Sequence, residues 1–121
     1  MLKPSVLVLD DDDDNLQLLE AALSSRGFDV RTAASSAEAR AALTERTVDA
    51  LVTDFSLGDG NAVELLAALG ERRPKVAILV TGYGSPEDHA RSSAAGFDAH
   101  LVKPVAFDDL ESALRRALVP A

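Results

Sequence analysis

The chain has 121 residues, the size of one ordinary domain with room for a real core. Although 47% of it is apolar, no run approaches the length needed to cross a membrane, and the absence of cysteine excludes disulfides and thiolate metal sites. A formal charge of −8, with one Tyr, four Phe and no Trp, argues against nucleic acid, whose phosphates would be repelled and whose bases would find little to stack on.

No internal repeat, linker or composition break divides the chain, so residues 1–121 are read as one domain. The opening Met1-Leu2-Lys3-Pro4-Ser5 lacks the basic and then apolar layout of a secretory signal, and a cytoplasmic location is expected. Ser5–Leu9 is short, apolar and rich in Val and Leu, which predicts a parallel-sheet strand buried on both faces. It runs straight into five aspartates, Asp10 to Asp14. A solvated acidic turn, a calcium loop and the wall of a magnesium site are all open at this point.

Leu16, Leu19 and Leu23 fall on one helical stripe, stopped by Gly27 after Arg26, while Asn15, Leu18 and Ala22 share a more exposed face. Phe28–Ala33 mixes apolar residues with Asp29 and Arg31, as an edge strand would. Ser35-Ser36-Ala37-Glu38 has capping-box spacing for a second helix. Ala50–Thr53 predicts another strand, with Asp54 after it, and Ala62–Leu69 a third helix closed by Gly70. Val76–Val80 is the fourth strand, followed by Thr81. Ser85-Pro86-Glu87 opens a fourth helix with Gly96 past its end, and His89 on it reads as surface decoration. Ala99–Val102, followed by Lys103, is read as a fifth buried strand, and Asp108–Leu118 is the last helix. Fivefold alternation predicts an α/β domain with helices on both faces of a parallel sheet. Right-handed crossovers leave few strand orders, the flavodoxin-like 2-1-3-4-5 among them.

In such sheets ligands sit beyond the carboxyl ends of the strands. Asp10, Asp11, Asp54, Thr81 and Lys103 all follow strands, so the fold brings them to one rim. Three carboxylates in a small volume need compensation, and a hard divalent cation such as Mg²⁺ suits oxygen ligands. A hydroxyl and an ammonium suit phosphate oxygens. Together they form an apparatus for phosphoryl transfer to a carboxylate. Taken singly, Asp10 and Asp11 read as a helix-capping turn, Thr81 as a strand-end hydroxyl and Lys103 as a solvated lysine. Only their common rim favours the site. Asp12, Asp13 and Asp14 are read the other way, as cap and charge for the first helix, with Asp12 at most an outer-shell neighbour of the cation.

Two rivals use the same aspartates. Asp10, Asp12 and Asp14 copy the start of an EF-hand, but its sixth and twelfth positions require Gly and Glu, and Asn15 and Ala21 stand there. Asp10-x-Asp12 with Thr81 and Lys103 imitates haloacid-dehalogenase-type phosphohydrolases. The usual Thr or Val after Asp-x-Asp, an acidic pair after the lysine and room for a substrate cap are all missing. That reading, with Asp10 as nucleophile, is the alternative.

The stretches VLVLDDDDDN, LVTDFSLGDG, AILVTGYG and GFDAHLVKPV, in this order, resemble the receiver domain of bacterial two-component response regulators over essentially the whole chain. The resemblance implies the 2-1-3-4-5 order and makes Asp54 the phosphoacceptor. Mg²⁺ would be held by Asp10, Asp11, Asp54 and the backbone carbonyl of Ser56, with Asp11 the more direct ligand and Asp10 acting partly through water. Thr81 and Lys103 would contact the phosphoryl group, and Pro104 would follow a cis peptide. The donor would be a histidine kinase or a histidine phosphotransfer protein, docking on Leu18, Pro104 and Val105. Such a domain assists its own phosphorylation and slow dephosphorylation, signals through helix 4, strand 5 and helix 5, and in some cases forms a phosphorylation-dependent homodimer. GFDAHLVKPV looks most like receivers of hybrid histidine kinases. Because no pattern follows the last helix before Pro120-Ala121, a stand-alone receiver and a piece of a larger regulator are both open.

The chain departs from the family pattern in three places. Gly58 replaces a usual proline, Asn61-Ala62 stands where Asp-Gly is typical, and His100 occupies the switch position that is usually Tyr or Phe. His100 is expected to swing inward as Thr81 moves toward the phosphoryl group, and imidazole there would make the switch pH-sensitive.

Overall fold

The structure, a computed structural model, describes residues 3–119. Met1, Leu2, Pro120 and Ala121 lie outside the described residues. Five strands, β1 (Ser5–Leu9), β2 (Asp29–Ala33), β3 (Ala50–Asp54), β4 (Val76–Thr81) and β5 (Ala99–Val102), alternate with helices α1 (Asp13–Ser25), α2 (Ser36–Glu45), α3 (Ala62–Leu69), α4 (Pro86–Ala95) and α5 (Phe107–Leu118). All strand pairs are parallel, in the order β2-β1-β3-β4-β5. Among the described residues no helix is long and apolar enough to cross a membrane.

Alternation of side chains along each strand divides the apolar residues into two cores. Val6, Val8, Val52 and Ile78 face α1 and α5, meeting Leu16, Leu23, Leu110 and Leu114. Leu7, Leu9, Leu51 and Leu79 face the opposite side, meeting Leu43 of α2 and Leu65, Leu66 and Leu69 of α3. β1, β3 and β4 sit in the middle of the sheet and are buried on both faces, as their unbroken apolar runs predict. β5 is the exception. It is the second edge of the sheet, its residues are only partly buried and Val102 is exposed, because the strand order leaves it one neighbour.

Local chemistry sets the helix ends. The Asp12 carboxylate accepts from the Asp14 and Asn15 N–H groups at 3.0 and 3.4 Å, so α1 is capped from within the aspartate run. Ser35 caps α2 through the Glu38 N–H at 3.1 Å, but the Glu38 carboxylate reaches the Ala34 N–H instead of that of Ser35, so the reciprocal half of the predicted box falls one residue early. A full capping box appears at α4, where Ser85 and Asp88 each accept the other's backbone N–H at 3.1 Å.

The β3–α3 segment explains two of the sequence departures. Gly58 has φ +77°, which proline cannot adopt and most residues avoid. Asn61 caps α3, accepting from the Glu64 N–H at 2.9 Å and donating to the Glu64 carboxylate at 2.8 Å. Between them Asp59 reaches across to the start of α2, accepting from the Ser36 and Ala37 N–H groups at 2.9 and 3.1 Å. Those two bonds, Ser36 first, hold its carboxyl below the usual range.

Candidate functional site: an acidic pocket at the carboxyl edge

β1 and β3 lie side by side, so the residue after one and the last residue of the other meet at the carboxyl edge. One carboxylate oxygen from each of Asp10, Asp11 and Asp54 falls within 4.8 Å of the others. Asp10 is buried, Asp54 half-buried and Asp11 exposed. The Asp10 carboxylate accepts the Asp12 N–H at 2.9 Å. Burial pushes its pKa up, with the charges of Asp54 and Asp11 adding, against the Asp12 N–H and Lys103.

Lys103 follows β5 and reaches back over the rim. Its Nζ donates to Asp54 Oδ2 at 3.1 Å and lies 3.7 Å from Asp10 Oδ2. Desolvation acts to lower its pKa, but the hydrogen bond and charge of Asp54 and the charge of Asp10 outweigh it, and the net shift is upward. The other Asp54 oxygen, Oδ1, accepts the Phe55 N–H at 2.7 Å. Three carboxylates and one ammonium leave two negative charges at the rim, the complement of a hard divalent cation. The donor set therefore fits such an ion.

Thr81 ends β4, and the backbone N–H of Lys103 donates to its carbonyl at 2.8 Å, which keeps the hydroxyl and ammonium positions in step. Its buried Oγ1 accepts the Tyr83 N–H at 3.3 Å. Ser56 lies two residues past Asp54 in a loop closed by Leu57 N–H to Gly60 O and Ala62 N–H to Phe55 O. The Lys103–Pro104 peptide is cis. Beside the acids, a cleft of about 440 Å³ is lined by Asn15, Leu18, Pro104, Val105 and Phe107 as well as by Asp10, Asp54 and Lys103. Leu18 is 59% exposed on its rim, which separates it from the buried stripe of α1.

A model of the response regulator receiver domain matches residues 6–115. The chain belongs to that family. This receiver domain is 36% identical over 111 residues to the photosynthetic apparatus regulatory protein RegA of Rhodobacter capsulatus, covering 91% of this chain and 60% of that protein. It is 36% identical over 116 residues to the transcriptional regulatory protein PrrA of Mycobacterium tuberculosis, covering 95% of this chain and 50% of that one. The receiver domain thus spans about half to three fifths of these curated relatives. Among solved structures, the CheY-like response regulator receiver domain protein of Methanospirillum hungatei JF-1 superposes with a TM-score of 0.88 at 34% identity, covering 98% of this chain and 94% of that one. The domain is a two-component signalling switch, and the phosphohydrolase alternative built on Asp10 is not supported.

His100 of the receiver domain faces α4, with Nδ1 2.9 Å from Ser92 Oγ and Nε2 2.7 Å from the Tyr83 carbonyl oxygen. His89 is exposed, in line with its reading as a surface residue, but it has a partner there. Its ring stacks on that of His100, centroids 4.0 Å apart and planes inclined by 27°. No spacing in the sequence signals this pairing, because the two rings come from different elements and meet only when α4 docks on β5.

Proposed function

We propose that this receiver domain accepts a phosphoryl group on Asp54 from the phosphohistidine of a histidine kinase or histidine phosphotransfer protein. The phosphorus–nitrogen bond of the donor breaks and a bond to an Asp54 carboxylate oxygen forms, so the group moves without net oxidation. The observation that carries this reading is the Lys103 ammonium 3.1 Å from Asp54 Oδ2, with Asp10 and Asp11 beside it. Lys103 neutralises charge arriving on the phosphoryl oxygens, the Phe55 N–H orients the acceptor, and the Thr81 hydroxyl turns toward the product. Asp10, Asp11, Asp54 and the Ser56 carbonyl are the groups that would hold Mg²⁺. The ion, when bound, supplies charge neutralisation for an in-line transfer. Slow hydrolysis at the same acyl phosphate resets the domain.

Leu18, Pro104 and Val105 serve as the docking face for the donor, next to the acceptor carboxylate. Thr81 and His100 carry the phosphorylated state to α4, β5 and α5, the face read by an output partner or by a second copy of the domain. Residues 1–121 act as one receiver unit, in the cytoplasm with its kinase.

The deciding test is incubation with acetyl phosphate and Mg²⁺, followed by intact mass. A single phosphate adduct is expected for wild type, lost on chelation and in Asp54→Ala. An adduct that persists in Asp54→Ala, or none at all, overturns the assignment.

A further inference from the structure

We propose that His89, Ser92 and His100 form a one-proton latch that holds α4 in its unphosphorylated position, so that protonating the histidine pair and phosphorylating Asp54 oppose each other. The proposal rests on the reading of Asp54 as phosphoacceptor.

The Tyr83 carbonyl only accepts, so His100 Nε2, 2.7 Å away, carries a hydrogen in every state of the latch. Ser92 has one hydroxyl proton and two acceptors within reach, the His89 carbonyl at 3.0 Å and His100 Nδ1 at 2.9 Å. With His100 neutral, that proton can serve only one of the two acceptors, and the other bond is forfeited. With His100 protonated, Nδ1–H donates to Ser92 Oγ and the hydroxyl is freed for the carbonyl. The protonated state therefore keeps one more bond than the neutral one, a bond within α4, and the charge strengthens the two imidazole bonds that tie β5 to α4 and to the β4–α4 loop.

Charged groups face the latch from two helices. On α4, Asp88 attracts a proton on His100 and Arg91 opposes it; on α3, Glu64 attracts it from across a shared cavity of about 500 Å³. The loop presents the neutral Tyr83, and β4 presents Leu79. The His89 ring offers its π face to a charged His100, whereas a second proton on His89, with centroids 4.0 Å apart, would place like charges in contact.

The latch connects to the acidic pocket through Tyr83. The N–H of Tyr83 donates to Thr81 Oγ1, and its carbonyl accepts from His100. When Thr81 moves toward Asp54, the Tyr83 backbone is pulled from the imidazole. A proton that strengthens the imidazole's hold resists that movement. By reciprocity, phosphorylation must loosen the proton by the same factor. Acid therefore favours the unphosphorylated arrangement.

The test is a nuclear magnetic resonance titration of both imidazoles in the whole chain with Mg²⁺, with and without beryllofluoride as phosphoryl mimic, in wild type, Ser92→Ala and His89→Ala. Ser92→Ala is nearly isosteric and His89 is exposed, so both variants retain the fold. Expected are an Nε2–H tautomer for His100, uptake of the two protons in separate steps, and a downward shift of the first midpoint on adding beryllofluoride. Affinity for the mimic rises about fivefold, relative to both variants, between about pH 6 and pH 8. Midpoints that stay in place while the amides around Asp54 respond overturn the latch alone. Amides that do not respond overturn the phosphoacceptor reading and the latch with it.

Discussion

Asp10 is the most costly ionised side chain of the pocket, because it is buried among like charges with only a backbone N–H and a distant ammonium for compensation. Its raised pKa means the folded state binds a proton more tightly than the unfolded chain does. The carboxylate thus detracts from stability at neutral pH, and stability recovers as pH falls through the folded pKa. Asp10→Asn keeps an acceptor for the Asp12 N–H and removes the charge. In metal-free buffer it is expected to raise the melting temperature by a few degrees, the equivalent of about 1 kcal/mol in a domain of this size. Scanning calorimetry with a chelator checks this. Mg²⁺ should reverse the order: at about ten times Kd it stabilises wild type by about 1.4 kcal/mol, and Asp11→Asn abolishes most of that gain. Lys103 obeys the opposite sign. With its pKa held up by Asp54 and Asp10, it contributes stability that is present below the unfolded lysine pKa and lost as pH rises through the folded one.

At the scale of elements, α1 and α4 divide the labour. α1 is pinned by Leu16 and Leu23 against the sheet and α5, yet offers Leu18 to solvent beside the pocket. Leu18→Asp is expected to leave the melting temperature within about 0.5 kcal/mol of wild type, as surface changes do. It should slow transfer from a phosphohistidine protein while leaving acetyl phosphate labelling unchanged. Stopped-flow transfer kinetics separate the two. Leu110→Ala, in the α1–α5 core, should instead cost about 2–5 kcal/mol by urea denaturation. α4 buries only Ser92 among its own residues, and Ala95 and the polar bonds around His100 are what join it to the rest of the domain. An element with so little apolar anchorage is the easiest to displace, as the proposed output role of α4 requires.

The molecule as a whole is closed by a charged clasp between its first and last helices. Arg26, at the end of α1, reaches Asp108 and Glu111 of α5, and Arg115 donates to Glu111 at 2.9 Å and to the Arg26 carbonyl at 2.6 Å while lying over the Phe28 ring. Arg115 first and then Arg26 hold the Glu111 carboxyl below its ordinary range. A depressed carboxyl pKa contributes stability above the unfolded pKa and loses it as pH falls through the folded one. Glu111→Gln should therefore melt earlier than wild type at pH 7, with the difference closing below about pH 4 in a series of thermal melts.

Much of this was legible in the linear chain, and the reason is local. Central strands buried on both faces read as unbroken apolar runs, and Asp10, Asp11, Asp54 and Thr81 stand out because each sits at or just after the end of such a run, while Lys103 follows the edge strand β5. Helix starts follow from Asp12, Ser35 and Ser85, whose side chains act on N–H groups within three residues, whereas the Asn61 cap of α3 was not read from the sequence. What the linear pattern could not specify depends on which surfaces meet. The exposed second edge at β5, the Asp59 carboxylate on the start of α2, the Arg26–Glu111 clasp and the stack of His89 on His100 all join residues from separate elements. The residues alone determined that three carboxylates and a lysine would gather at one rim, since strand direction places them there. Only the docking of α4 on β5 decided that His89 would stack on His100 and that Ser92 would meet its Nδ1, because those groups come from separate elements.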